Sequence, residues 1–103
     1  MRKLLVVTGG TRGIGRAIIE IFVDHDFDIV TCARHEEDLL NLRAEIQRRS
    51  PETSFYFYSA DMSVREQVVR FTDYVLSLGR AVDFLVNNAG YFIPGGITTD
   101  PDG

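Results

Sequence analysis

The feature of this sequence that most restricts its fold is the alternation of short apolar runs with longer, helix-periodic stretches. The apolar runs at 3–8, 28–32, 54–58 and 82–86 are rich in β-branched or aromatic residues, which is typical of strands buried on both faces. Helical periodicity fills the intervals and predicts helices over 13–25, 36–49 and 63–78. Because strands that alternate with helices form parallel sheets with right-handed crossovers, the sequence predicts a three-layer α/β fold.

Local signals refine the predicted helices. Ser63 and Glu66 fit a capping box at the start of the third helix, and Gly79 is typical of its end. The first helix is predicted to bury one apolar stripe against the sheet. The members of that stripe are Ile14, Ala17, Ile18, Ile21 and Phe22.

Composition excludes several classes of protein. The 103 residues suit one domain, predicted over 1–103, and 45% hydrophobic with 25% charged residues is ordinary globular composition. A net charge of −4 without a basic patch argues against nucleic acid or an anionic membrane as partner. Cys32 is the one cysteine, so no internal disulfide forms. No apolar run approaches the roughly 20 residues of a membrane span. The N-terminal apolar run is too short for the h-region of a secretory signal, and we expect a cytoplasmic protein.

A glycine-rich segment joins the first predicted strand to the first predicted helix. Thr8, Gly9, Gly13, Ile14 and Gly15 form the pattern T-G-x-x-x-G-I-G. A helix N-terminus offers unpaired N–H groups and a positive dipole end, and glycines let a phosphate approach the backbone closely. The segment therefore predicts a nucleotide-binding loop, with a tight turn that binds nothing as the alternative.

Three motifs together make the chain resemble the classical branch of the short-chain dehydrogenase/reductase family. They are the glycine pattern, the run Asn87-Asn88-Ala89-Gly90 after the fourth strand, and Asp61 after the third. The extended branch would have glycine where Arg12 stands. The resemblance implies a Rossmann-type sheet of strand order 3-2-1-4, of which this chain holds only the N-terminal part, truncated after the fourth strand. The same motifs disfavour a methyltransferase-like Rossmann domain.

The end of the second predicted strand indicates which dinucleotide binds. NAD-selective sites place an acid there to hold the ribose 2′-OH. This chain has Ala33 and Arg34 instead, and a guanidinium can face a 2′-phosphate. Arg12 in the glycine segment can reach the same phosphate, and in the resembling family such a pair marks NADP(H) users. We therefore expect NADP(H), with NAD(H) as the alternative and with solvation of a strand end as the simpler role of Arg34.

The resemblance also implies roles for the other two motifs. Asp61 accepts a hydrogen bond from the adenine amino group, helped by the N–H of Met62, although Asp61 could also be a helix cap. Asn88, Ala89 and Gly90 form a wall beside the adenosine ribose, although such a run is also a common turn. The full set of expected cofactor-binding residues is Gly9, Thr11, Arg12, Gly13, Ile14, Gly15, Ala33, Arg34, Asp61, Met62, Asn88, Ala89 and Gly90.

No catalytic or metal-binding residue is predicted. The resembling family uses a tyrosine with a lysine four positions later, and none of Tyr56, Tyr58, Tyr74 and Tyr91 has one there. We therefore expect the NADP(H)-binding part of an oxidoreductase, inactive alone. Its full-length form is expected to transfer hydride to or from a small carbonyl or alcohol, with a homo-oligomer as a candidate assembly. The alternatives are a non-catalytic NADP(H)-binding module and an assembly piece completed by another chain.

Overall fold

In the computed structural model, which describes residues 2–89, helices and parallel strands alternate along the chain. The elements are β1 (Lys3–Thr8), α1 (Gly13–Asp24), β2 (Phe27–Ala33), α2 (Glu36–Arg49), β3 (Phe55–Ser59), α3 (Arg65–Ser77) and β4 (Phe84–Val86). The four strands form one sheet of order β3-β2-β1-β4, which confirms the predicted α/β Rossmann-type fold.

The register of the sheet brings the carboxyl ends of three strands to one edge. Thr8 of β1 pairs with Cys32 of β2, and Cys32 pairs with Tyr58 of β3. In open parallel sheets ligands bind outside this edge, in the crevice beside the central strands. The loops that follow β1, β2 and β3 are therefore the ones positioned to form a site.

Each face of the sheet carries its own apolar core, because side chains alternate between the two faces of a strand. On one face, Leu5, Val7 and Ile29 are buried together with apolar residues of α1 and α2. On the other face, Leu4 and Val6 are buried together with residues of α3. The two cores make the predicted three layers. In β1 every residue after Lys3 is buried. In β4, at the edge of the described sheet, Phe84 is exposed and the other two residues are half-buried.

The predicted inner stripe of α1 is only partly correct, because Ile18 and Phe22 are half-buried against the core but the other three members are exposed. Ile14 is 72% exposed and Ile21 is 56% exposed, while the residues that face the sheet are Gly15, Ile19 and Val23. These three are spaced by four residues and follow one line along the helix. The helix is rotated toward this line because Gly15, which has no side chain, lies against the loop that follows β1.

The predicted capping box is wrong. Helix α3 begins at Arg65, its N-cap is Val64, and no side chain caps it. Ser63 instead donates its hydroxyl to Asp61 Oδ1 at 2.7 Å, so it serves the loop before the helix. Strand β4 is shorter than the predicted 82–86, because the Asp83 carboxylate accepts the N–H of Leu4 at 2.8 Å and replaces a strand carbonyl there.

Candidate functional site

A cavity of about 420 Å³ opens at the carboxyl edge of β1, β2 and β3. Most of the predicted site residues line it, namely Gly9, Thr11, Arg12, Ala33, Arg34, Asp61, Met62 and Ala89. The cavity also includes residues that the sequence analysis did not assign to it, namely Cys32, His35, Asp38, Ala60 and Ser63. Gly13, Ile14, Gly15 and Asn88 are not among the lining residues, and Gly90 lies outside the described part of the chain.

Two glycines shape the loop between β1 and α1. A Cβ at Gly15 would lie 2.4 Å from the carbonyl oxygen of Gly9 and 2.6 Å from Asn88 Nδ2, so only glycine allows this approach. Gly13 has a φ of +55°, and a Cβ there would meet no atom within 4 Å. Gly15 therefore brings the helix against the strand end, and Gly13 leaves the backbone at the start of α1 open to a ligand.

The N-terminus of α1 keeps its positive dipole end without internal compensation. Its N-cap, Arg12, makes no side-chain cap hydrogen bond, and the first turn of α1 contains no acidic residue. Helix α2, in contrast, has Glu36, Glu37 and Asp38 in its first turn. Unpaired N–H groups and an uncompensated dipole favour an anion at this end of α1.

Two guanidinium groups lie at the same cavity from different loops. Arg34 directly follows β2, and its carbonyl oxygen accepts a hydrogen bond from Ser59 Oγ at 3.0 Å. Arg12 is 81% exposed, and its Nη2 lies 3.6 Å from Oδ2 of Asp38. The last residue of β2 is Ala33, so no carboxylate occupies the strand end itself. Arg34 therefore places a positive charge directly after β2, where an NAD-selective site would have an acid.

Asp61 presents an ionised carboxylate to the cavity. Its Oδ1 accepts two hydrogen bonds from Ser63, one from the hydroxyl at 2.7 Å and one from the backbone N–H at 3.0 Å. These bonds, with a smaller contribution from the charge of Arg34, lower the pKa of Asp61. Both bonds end on Oδ1, which leaves Oδ2 as an acceptor for a ligand N–H.

Gln67 supports this loop and was not anticipated by the sequence analysis. Its Oε1 accepts the backbone N–H of Asp61 at 2.6 Å. The available signal was its position in the first turn of α3, from which a glutamine can reach back to an N–H preceding the helix. Gln67 therefore helps to fix the backbone that carries the Asp61 carboxylate.

The segment after β4 is tied to the end of β1 by side chains. Thr8 Oγ1 donates to Asn87 Oδ1 at 3.0 Å and accepts the N–H of Ala89 at 2.9 Å. Asn88 Nδ2 donates to the carbonyl oxygen of Gly9 at 3.0 Å. Asn88 thus holds the glycine loop, whereas Ala89 contributes to the cavity wall.

The remaining candidates do not point to redox or metal chemistry. Cys32 is fully buried, and burial raises the pKa of its thiol to about 11, so it is protonated at neutral pH. Between residues 2 and 89, no three His, Cys, Asp or Glu side chains are grouped so that they could hold a metal ion. None of the helices in that range has the length and apolar character needed to cross a membrane.

Comparison with known proteins identifies consistent relatives. A family model described as short chain dehydrogenase matches residues 3–101. The chain is 32% identical over 92 residues to Dehydrogenase/reductase SDR family member 11 from Gallus gallus, covering 89% of this chain and 36% of that protein. It is 35% identical to L-fucose dehydrogenase from Mus musculus, covering 89% of this chain and 32% of that protein.

A solved structure agrees with these sequence matches. L-sorbose reductase from Gluconobacter frateurii, complexed with NADPH and L-sorbose, superposes with a TM-score of 0.79 and 31% identity. The superposition covers 86% of this chain and 34% of the reductase. The chain thus spans about a third of the length of the relatives that it matches.

Proposed function

The chain belongs to the short chain dehydrogenase family, and we propose that residues 1–103 form the NADP(H)-binding part of an oxidoreductase. The proposed reaction transfers hydride between the nicotinamide and a small carbonyl or alcohol substrate. The catalytic and substrate-binding groups of that reaction are not assigned to residues of this chain.

The observation that carries the proposal is the pair of arginines at one cavity. Arg12 and Arg34 both line the space beside the end of β2, and Ala33 stands where an NAD-selective site has an acid. Guanidinium groups bind phosphate oxygens through paired, charge-assisted hydrogen bonds. The solved relative that contains NADPH supports the same choice of cofactor.

The proposed roles of the residues follow from their positions. The open backbone at Gly13 and the N-terminus of α1 receive the pyrophosphate. Arg12 and Arg34 hold the 2′-phosphate, and Oδ2 of Asp61 accepts a hydrogen bond from the adenine amino group. Bound NADP(H) supplies or takes up the hydride, while this part of the chain binds and orients the adenosine end.

The proposal is tested by reversing the charge of Arg34 in the protein as its gene encodes it. In Arg34→Asp, we expect the Kd for NADPH to rise at least about tenfold, because charge-assisted bonds are lost and like charges face each other. The Kd for NADH should change less than about threefold. Fluorescence titration with both cofactors measures the two constants.

Arg70→Asp is the matched control for this experiment. Arg70 is exposed on α3 and does not line the cavity, so the same charge change there should alter neither constant by more than about twofold. Equal weakening of NADPH and NADH by Arg34→Asp would refute the assignment of the 2′-phosphate. Absence of binding by the unmodified protein would refute the whole proposal.

A non-catalytic NADP(H)-binding module is the second candidate. It requires only the cofactor cavity that Arg12 and Arg34 line. Oxidation of NADPH in the presence of a panel of small aldehydes and ketones separates the candidates. Turnover supports the oxidoreductase, whereas tight NADPH binding without turnover of any panel member supports the module.

A further inference from the structure

One carboxylate in the cavity has no role in the function proposed above. Asp38 is in the first turn of α2, where its backbone N–H donates to the carbonyl oxygen of His35 at 3.1 Å. Its side chain is 34% exposed and lines the cavity. Its Oδ2 lies 3.6 Å from Nη2 of Arg12, which places the carboxylate beside one of the two proposed phosphate-binding groups.

The charges in the cavity are arranged as two pairs. Arg12 lies next to Asp38, while the charge of Arg34 acts on Asp61 and helps to lower its pKa. Asp61 is also held by two hydrogen bonds from Ser63, which fix its Oδ1. Of the two carboxylates that line the cavity, Asp38 is the one that forms an ion pair with an arginine, and the pair is largely exposed on the Arg12 side.

We propose that Asp38 is a specificity-determining residue, whose carboxylate competes with the cofactor 2′-phosphate for Arg12 and so lowers the preference for NADP(H) over NAD(H). This inference rests on the proposed function. A phosphate that binds Arg12 must displace Asp38 or remain close to it, and both cases cost binding free energy because the two groups are anions. NADH lacks the 2′-phosphate, so it does not compete with the Asp38 carboxylate for Arg12.

The structure also argues that the effect is separable from folding. Asp38 is partly exposed, and its backbone N–H bond to His35 does not involve the carboxylate. Asparagine keeps the size and the hydrogen-bonding oxygen of the side chain while removing its charge. Asp38→Asn should therefore change the charge in the cavity and leave α2 in place.

The test measures the Kd values of NADPH and NADH in wild type and Asp38→Asn, with the protein as it is expressed from its own reading frame. We expect Asp38→Asn to tighten NADPH binding about twofold to fivefold, the upper part of the range for one exposed charge acting at ion-pair distance. NADH binding should change less than about twofold. The NADPH gain should shrink as salt is raised, because exposed charges are screened.

Glu37→Gln provides the matched control. Glu37 is the preceding residue in the same first turn, is exposed and does not line the cavity. Its substitution removes the same charge from the start of α2, so it reproduces any effect on the helix dipole or the net charge. We expect Glu37→Gln to change both constants less than about twofold.

A second comparison identifies the group through which Asp38 acts. In an Arg12→Ala background, adding Asp38→Asn should tighten NADPH binding less than about twofold, because the contested guanidinium is absent. Unchanged or weaker NADPH binding in Asp38→Asn would overturn the inference, as would an equal gain in Glu37→Gln or in the Arg12→Ala background. The proposed function fails separately, if Arg34→Asp does not discriminate between the two cofactors.

Discussion

Replacing Asp28 with asparagine is expected to lower the free energy of unfolding by about 2–4 kcal/mol at neutral pH. The Asp28 side chain is 5% exposed and lies at the end of the sheet opposite the cavity. Its Oδ1 accepts one hydrogen bond from Arg2 Nε at 2.7 Å and another from the backbone N–H of Ser54 at 2.8 Å. Its Oδ2 accepts Arg80 Nη1 at 2.8 Å. One carboxylate therefore joins β2 to the segments before β1, β3 and β4.

The magnitude follows from what asparagine removes. Breaking a buried ion pair by removing one partner typically costs about 3–5 kcal/mol. Here Arg2 and Arg80 are 25% and 26% exposed, so water can replace part of the lost interaction. Asparagine also keeps one acceptor oxygen, but its amide N–H group faces a guanidinium donor at the other position. These offsets place the expected loss at the lower part of that range and slightly below it.

The effect should depend on pH in a defined direction. Burial tends to raise the pKa of Asp28, but hydrogen bonds from Ser54, Arg2 and Arg80 outweigh it and hold the pKa below the ordinary 3.8. A carboxylate with a lowered folded-state pKa stabilises the fold above its unfolded pKa, and this contribution is lost as the pH falls through the folded value. The difference between wild type and Asp28→Asn should therefore be constant from pH 7 to about pH 5 and shrink below about pH 4.

Urea unfolding followed by circular dichroism at pH 7, 5 and 3.5 measures this difference. Asp26→Asn is the control, since Asp26 is exposed and has a φ of 68°, a conformation that asparagine also adopts. We expect Asp26→Asn to remain within about 0.5 kcal/mol of wild type. A loss below about 1 kcal/mol in Asp28→Asn at pH 7, or a difference that does not shrink at acid pH, would refute the reasoning.

Two further predictions concern the glycine loop after β1 and the buried thiol of Cys32. Gly15→Ala should lower the free energy of unfolding by about 1–3 kcal/mol, because the new Cβ would lie 2.4 Å from the Gly9 carbonyl oxygen. A thermal scan in which the variant has a Tm equal to or above that of wild type would contradict this. Cys32, whose pKa is about 11 by burial, should react with a thiol reagent at pH 7.5 at least about a hundredfold more slowly in the native protein than in guanidinium chloride; comparable rates would show that the thiol is accessible.

The fold was largely predictable because its signal is distributed over many residues. Strand positions and helix α2, Glu36–Arg49, follow from hydrophobic periodicity, to which each apolar residue contributes. The start of α3 was not predictable in this way, because it depends on a competition for one side chain. Ser63 can cap a helix or bond to Asp61, and the sequence does not show that the carboxylate is within reach.

The site residues that belong to a sequence motif were predictable, whereas those brought to the cavity by helix geometry were not. Arg12, Arg34 and Asp61 line the cavity, and each was found from its place in a family pattern or after a strand. Asp38 was missed because an acid in the first turn of a helix has an ordinary explanation in the dipole. The available signal was its place in the first turn of α2, directly after the loop that carries Arg34.

The glycine loop depends on β4 as well as on its own glycines. Two hydrogen bonds join the end of β1 to the segment after β4. Thr8 Oγ1 accepts the N–H of Ala89, and Asn88 Nδ2 donates to the carbonyl oxygen of Gly9. Yet β4 pairs with β1 through only Leu5, Val6 and Val7, and its first residue, Phe84, is 51% exposed. Because the residues that hold the loop lie directly after this short strand, we expect that contacts which stabilise β4 also stabilise the loop that we propose receives the cofactor phosphates. Under the proposed function, cofactor affinity and the stability of β4 are therefore thermodynamically linked.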